Sequence, residues 1–235
     1  PTLPSDATLY PSLLLQGGWF NVLSLTAEDR ERTALYQREA RRDELKASAG
    51  SFDEYLSALN IEIALVTPDD EHRLARLAQL GQRTNQFNLT GSRPQAGEIR
   101  QMLADERYRV LCIEGRDRFG DYGLVGGVIV EKRGAQQDDW WIRTFLLSCR
   151  VFERSIEQAV LRAVLDDAQR AGARSVHGEF LPTKKNARFE VFYPSQGFSR
   201  VELGGATQAY RHELGSLPAL VPWINVVNAR QEVAA

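Results

Sequence analysis

The chain is poor in the residues that staple or metallate a fold. Its 235 residues include two cysteines and three histidines. Cys112 and Cys149 fall in separate apolar stretches with no paired spacing, which excludes a disulfide framework and a zinc site and predicts reduced thiols. No metal site is expected. Basic runs are also missing: nothing exceeds a pair such as Lys184-Lys185, and 29 Lys and Arg against 31 Asp and Glu leave a formal net charge of -2. That balance argues against nucleic acid and anionic membrane as partners. The longest apolar stretches, such as Gly123–Val130, are strand-sized and far short of a membrane span. The N-terminus lacks the basic, apolar and small-residue segments of a signal peptide, so a cytoplasmic location is expected. There is no internal repeat and no low-complexity segment.

What is present is an ordinary globular composition, 43% hydrophobic and 26% charged, enough for one large domain or a domain with a helical lead-in. The run from Pro1 to Pro11 reads as an extended linker, and a chain opening on Pro1 instead of Met is expected to follow something upstream. Thr26 and Asp29 resemble a cap for the charged helix Ala27–Ala47, and Ser51 with Glu54 caps a short helix ending near Leu59. Strand Ile61–Val66 follows, and Thr67-Pro68-Asp69-Asp70 opens a helix that buries Leu74 and Leu77. Gln95–Ala104 reads as a helix; Arg109–Glu114, Leu124–Lys132 and Trp140–Leu147 read as an antiparallel meander. The helix Ser155–Ala171 and strand Ser175–Phe180 make a strand-helix-strand crossover. A helix Ala187–Tyr193, a turn over Pro194–Gly197 and a final strand near Gln208–Glu213 complete the pattern. The expected fold is α/β, with a mixed, largely antiparallel sheet flanked by helices. Residues 1–60 are expected to form a linker and helical extension, and residues 61–235 the main domain.

Leu146-Leu147-Ser148-Cys149-Arg150-Val151 places a thiol where an apolar strand meets an amphipathic helix, beside a fixed cation. A helix N-terminus and an adjacent guanidinium both favour a thiolate, so Cys149 is a candidate nucleophile, against the plainer reading of a small buried hydrophobe. Cys112, in Val110-Leu111-Cys112-Ile113, is assigned to the core.

The order of elements, closing on Phe192-Tyr193-Pro194-Ser195-Gln196-Gly197-Phe198, resembles that of the GNAT acyltransferases from Ile61 onward. In that superfamily an Arg/Gln-x-x-Gly-x-Gly/Ala loop wraps the coenzyme A pyrophosphate with backbone N–H groups. The matching positions are Arg150-Val151-Phe152-Glu153-Arg154-Ser155, where both glycines are replaced and Glu153 brings a carboxylate. A conventional coenzyme A site is therefore not expected. The motifs Arg83–Thr90, Arg118–Val125, Leu146–Val151 and Gly178–Asn186, in this order, resemble the C-terminal half of the FkbH-like glyceryl transferase/phosphatase family of the HAD superfamily, and the likeness extends back through Pro1–Tyr10 and Leu25–Asp29. The resemblance implies an enzyme that takes a glyceryl-type acyl group from a bisphosphoglycerate-derived acyl phosphate onto Cys149. It then passes the acyl group to the phosphopantetheine thiol of an acyl carrier protein, in polyketide or tetronate biosynthesis. It implies no covalently bound cofactor, and a phosphatase-like partner domain in cis or in trans. Magnesium would belong only to that half, whose Asp-x-Asp-x-Thr motif this chain lacks.

Candidate roles follow. His177, on the strand reached by the crossover from Cys149, is either a base for the thiol or a packed strand histidine. Asp121 is either a turn former or the group that orients an imidazole or a substrate hydroxyl. Asn85, Gln86, Asn88 and Thr90 suit a polyol and equally suit a capped loop. Arg150, Lys185 and Asn186 are candidates for holding a phosphate or the pantetheine arm, with Arg154 and Lys184 facing solvent. Glu179 alternates with His177 on one strand face and is a candidate partner for it. His72 and His212 are given surface or structural roles; Trp140, Trp141, Phe145 and Phe189 are expected in the core or lining a channel. Two other functions remain open: a conventional GNAT N-acetyltransferase using acetyl-coenzyme A, and a non-catalytic module that docks a carrier protein.

Overall fold

The computed structural model describes residues 6–10, 27–202 and 207–228. The chain divides into two compact units, residues 1–47 and 48–235. In the first, Asp6 accepts hydrogen bonds from the amide and hydroxyl of Thr8 and fixes a short 3-10 turn at Ala7–Leu9, inside the segment expected to be extended. The remainder of that segment and the Thr26 cap lie outside the described residues. Helix α1 spans Ala27–Ser48.

In the second unit the predicted caps form. The Ser51 Oγ accepts the Glu54 amide at 3.1 Å while the Glu54 carboxylate accepts the Gly50 amide at 2.8 Å, which starts α2 (Phe52–Leu59). Strand β1 (Ile61–Val66) alternates buried and half-buried residues. The Asp70 carboxylate accepts the Arg73 amide at 2.7 Å and starts α3 (Glu71–Arg83). Then come β2 (Phe87–Asn88), α4 (Ala96–Leu103), β3 (Tyr108–Asp117), β4 (Gly120–Arg133) and β5 (Asp139–Leu147). A 3-10 turn at Cys149–Val151 leads to α5 (Ile156–Arg170) and β6 (Ser175–Phe180). The last elements are a 3-10 turn at Ala187–Phe189, α6 (Phe192–Ser195), β7 (Ser199–Val201), β8 (Gln208–His212) and β9 (Ile224–Asn228).

Among the described residues nine strands form one sheet in the order β7-β8-β6-β5-β4-β3-β1-β9, with β2 attached to β5. Neighbours are antiparallel except β5 with β6 and β1 with β9. The expected meander is β3-β4-β5, and the expected crossover is β5-α5-β6. The helix expected over Ala187–Tyr193 is instead a 3-10 turn at Ala187–Phe189 followed by the one-turn helix α6, with Phe189 and Phe192 each packed edge-on against Phe87 at 4.7 and 5.4 Å between ring centroids. Strands β2, β7 and β9 were not foreseen.

Helices α3 and α4 close one layer of core on the sheet through Leu74, Leu77, Leu80, Ile99, Val110 and Leu146, with Cys112 among them. Burying each large aliphatic side chain contributes about 1.5–3 kcal/mol. At Gly127 any Cβ would collide with the Leu77 side chain, so glycine lets α3 settle directly on β4 and fixes where its outer residues stand. Among the described residues no helix is long and apolar enough to cross a membrane.

Candidate functional site

The site is built where β5 ends. Leu147 pairs with Gly126, the Ser148 amide donates to the Val125 carbonyl at 2.7 Å, and the chain then leaves the sheet in the 3-10 turn that begins at Cys149. The two cysteines differ sharply. Cys149 is exposed, whereas Cys112 is fully buried and its thiol is pushed up to about 12 by that burial.

Between the turn and α5, Glu153 (φ 66) and Ser155 (φ 62) are both left-handed, at the positions where the GNAT loop has glycine. The path is held by long side chains: the Arg154 guanidinium donates to the Arg150 carbonyl at 2.5 Å, and the Trp223 indole N–H donates to the Arg154 carbonyl at 3.1 Å. Arg154 is therefore buried, with its guanidinium 5.2 Å above the Tyr122 ring, and not solvent-facing as expected.

Cys149 opens onto a cleft of about 690 Å³ whose lining includes Arg76, Arg83, Arg150, Lys184 and Lys185 and no carboxylate. Five cations converging in a chain of net charge -2 make a focused positive site that attracts anions. Guanidinium groups among them match phosphate oxygens geometrically. Asn85, Gln86 and Ser148 supply neutral hydrogen-bonding groups at the same wall. Arg93 holds the Asn85 side chain at 2.7 Å while its guanidinium also takes the Gly81 and Gln82 carbonyls at the end of α3. Arg76, Arg83 and Ser148 were missed by sequence reasoning. The signal was available: Arg73, Arg76, Leu80 and Arg83 recur at three-and-four spacing along α3.

A second cleft of about 660 Å³ shares Arg76 and Arg150 with the first and is lined by Asp121, Tyr122 and His72. Asp121 is an exposed strand residue paired with Arg116, and it meets no imidazole of the β5–β6 pair. The hairpin's turn former is Asp117, which accepts the amides of Phe119 and Gly120 at 2.9 and 3.1 Å and the Tyr122 hydroxyl at 2.7 Å.

Several expected ligands are structural. Parallel pairing of β5 with β6 ends at Ile142 and Gly178, beyond which the strands part. The segment Phe87–Thr90 fills the opening: Phe87 and Asn88 pair with Leu147 and Leu146, the Leu89 amide donates to the Phe145 carbonyl at 3.2 Å, and the Leu181 amide donates to the Leu89 carbonyl at 2.8 Å. Thr90 gives its hydroxyl to the Arg143 carbonyl at 2.9 Å. Asn88 is buried and donates to the Ser92 carbonyl at 3.0 Å. Asn186, also buried, accepts the Thr183 amide at 2.7 Å and donates to the carbonyls of Leu181 and Asn88 at 2.9 and 3.3 Å. Thr90 and Asn186 spend their side-chain polar atoms on the protein's own backbone, which corrects their expected role, whereas Asn88 gives only its NH2 to backbone and its buried Oδ1 has no partner among the described residues.

His177 is also placed elsewhere. It pairs with Trp141, near the start of β5, so roughly 20 Å of extended strand separates it from the cysteine turn at about 3.3 Å per residue. Its ring stacks on Trp141 at 4.2 Å, its Nε2 lies 3.0 Å from the Ser175 Oγ, and Ser175 in turn donates to Asp139 at 2.8 Å. Burial holds the imidazole below its ordinary range despite Asp139. Glu179 is not its partner: that carboxylate pairs with Arg143 at 2.8 Å. The crossover does return β6 beside β5, but their contact lies at the end of β5 remote from Cys149. Among the described residues no group of three or more His, Cys, Asp and Glu gathers to hold a metal ion.

The loop thus keeps a path that glycine favours, while Glu153 sets an exposed carboxylate just before the N-terminus of α5.

Comparison with solved structures identifies the architecture. A protein assigned to the GNAT acetyltransferase family from Desulfovibrio desulfuricans superimposes with a TM-score of 0.50 at 16% identity, covering 66% of this chain and 99% of that one. An aminoglycoside 6'-acetyltransferase type Ii gives 0.50 at 12% identity over 66% of this chain and 99% of its own. The fold is thus GNAT-like, a mixed α/β architecture with a largely antiparallel sheet. No family model and no curated protein matches the sequence.

Proposed function

We propose that the chain is a cysteine-dependent acyltransferase that accepts an acyl group from an acyl phosphate. The observation that carries this reading is an exposed Cys149 opening onto a cleft walled by five cations and no carboxylate. The Cys149 sulfur attacks the acyl carbonyl carbon; the carbon–oxygen bond to phosphate breaks; inorganic phosphate leaves within reach of Arg76, Arg150 and Lys185; and the thiol proton passes to solvent. In the second half-reaction a pantetheine thiol attacks the thioester, the new carbon–sulfur bond forms and Cys149 is released. The local motifs add the finer assignment: a glyceryl-type acyl group derived from bisphosphoglycerate, a carrier-protein phosphopantetheine as acceptor, and a phosphatase-like partner domain. Asn85, Gln86 and Ser148 are the neutral side chains at the cleft wall suited to the hydroxyls of such a group.

The test is intact mass spectrometry of the chain with a source of glyceryl phosphate anhydride and the partner phosphatase domain, followed by peptide mapping. One acyl unit on the Cys149 peptide, absent from Cys149→Ala, is the expected result. No adduct on wild-type protein, together with acetylation of an amine from acetyl-coenzyme A that survives Cys149→Ala, would mark a conventional GNAT N-acetyltransferase. The left-handed path at Glu153 and Ser155 is the one observation that favours that second reading.

A further inference from the structure

The wedge between β5 and β6 is the natural place for an extended pantetheine arm, because its two amides could pair with strand edges that have parted company. Here the chain's own segment already takes bonds from both sides of the opening. On β5, Leu146 and Leu147 are paired with Asn88 and Phe87, the Phe145 carbonyl holds the Leu89 amide, and the Arg143 carbonyl holds the Thr90 hydroxyl. On the β6 side, the Leu181 amide is bound to the Leu89 carbonyl. Asn186 locks the inserted segment from below through the Asn88 carbonyl. Phe87 anchors it, with its ring edge-on to Phe145, Phe189 and Phe192 at 5.0, 4.7 and 5.4 Å, and both Phe87 and Leu89 are fully buried. An arm entering this wedge would have to expel a fully buried phenylalanine and a fully buried leucine before forming any bond of its own. Cys149 and the cationic wall stand outside the wedge, on the open cleft.

We infer that β2 is a built-in strand that occupies the arm's place. The chain is thereby selective against free coenzyme A thioesters, and a pantetheine thiol reaches Cys149 from the open cleft and not between the strands. This rests on the proposed function only in taking a pantetheine thiol as the acceptor.

The test compares coenzyme A with adenosine 3'-phosphate 5'-diphosphate, which carries the same three phosphates but no arm, by calorimetric titration of the full chain. Hydrogen exchange of residues 86–90 is followed in parallel. The cations treat both ligands alike, so their affinities, or their shared failure to saturate, should agree within about threefold, and the exchange of 86–90 should be the same with and without ligand. Coenzyme A binding more than about threefold tighter than the armless nucleotide, or faster exchange in 86–90 when it is added, overturns the inference. The two proposals fail separately: a chain whose Cys149 is acylated yet admits the arm sinks this one alone, and a chain that is indifferent to the arm but never acylated sinks only the acyl phosphate reading.

Discussion

Asn186→Ala separates a structural side chain from a ligand. The amide makes bonds at 2.7, 2.9 and 3.3 Å to the Thr183 amide and to the carbonyls of Leu181 and Asn88. A typical net contribution is about 1 kcal/mol per bond, rising to about 1–3 kcal/mol where a buried group is left without a partner. Thr183 is exposed and its amide can turn to water, while the carbonyl of buried Asn88 cannot. The loss should therefore be about 2–4 kcal/mol. For a chain of this size each kcal/mol moves the melting temperature by about 2–4 °C, so the variant should melt on the order of 10 °C lower. Circular dichroism melts measure that directly, and acylation of Cys149 at a temperature where the variant is folded gives the second readout. A melting temperature equal to wild type with a weakened affinity for acyl phosphate would refute the structural assignment and restore Asn186 to the substrate.

Native alkylation should label Cys149 at once and leave Cys112 untouched until the chain unfolds, since burial lifts the Cys112 thiol to about 12; two labels on the native protein by mass spectrometry would contradict the packing. His177→Gln should leave acylation of Cys149 intact while lowering stability through loss of the Trp141 stack; a collapse of the acylation rate in folded protein would mean that the imidazole does reach the thiol. Glu157, in the first turn of α5, has its carboxyl raised above the usual range, chiefly by burial. The folded chain holds that proton more tightly than the unfolded one. The neutral form's advantage is therefore complete below the unfolded value of 4.5 and is lost as pH rises through the folded one. Glu157→Gln should then raise the melting temperature at about pH 8 and leave it unchanged at about pH 4; an unchanged value at both would deny the burial.

The elements that could be read from sequence are those whose signals are local. Ser51 with Glu54 and Asp70 are caps made within one turn, and the apolar spacing of Leu74 and Leu77 or of Ile156, Val160 and Val164 reports a helix face without reference to the rest of the chain. The strand end just before Cys149 was legible for the same reason, but the helix expected to begin there starts only at Ile156, after a separate 3-10 turn at Cys149–Val151. What failed was long-range. Nothing local to Asn88 says that its carbonyl will meet Asn186, 98 positions away, so Asn88 and Thr90 stood beside Asn85 and Gln86 as candidates for a polyol although only the latter two line the open cleft. His177 illustrates the other limit: a crossover makes β5 and β6 neighbours, but register decides which ends meet, and register depends on where both strands start. Asp121 was preferred to Asp117 by motif, though only Asp117 has backbone amides following it at turn spacing.

The tie between Trp223 and the Arg154 carbonyl joins the cysteine loop to a residue 69 positions further along the chain. Left-handed geometry at a residue other than glycine costs roughly 1–2 kcal/mol, and Glu153 and Ser155 each adopt it without a side-chain cap at the start of α5. Such a detour persists only while something outside it holds the shape. Trp223 thus serves as a remote tether: slackening it would let the turn relax toward an ordinary backbone, so where the Cys149 sulfur stands depends on a residue that does not line its cleft.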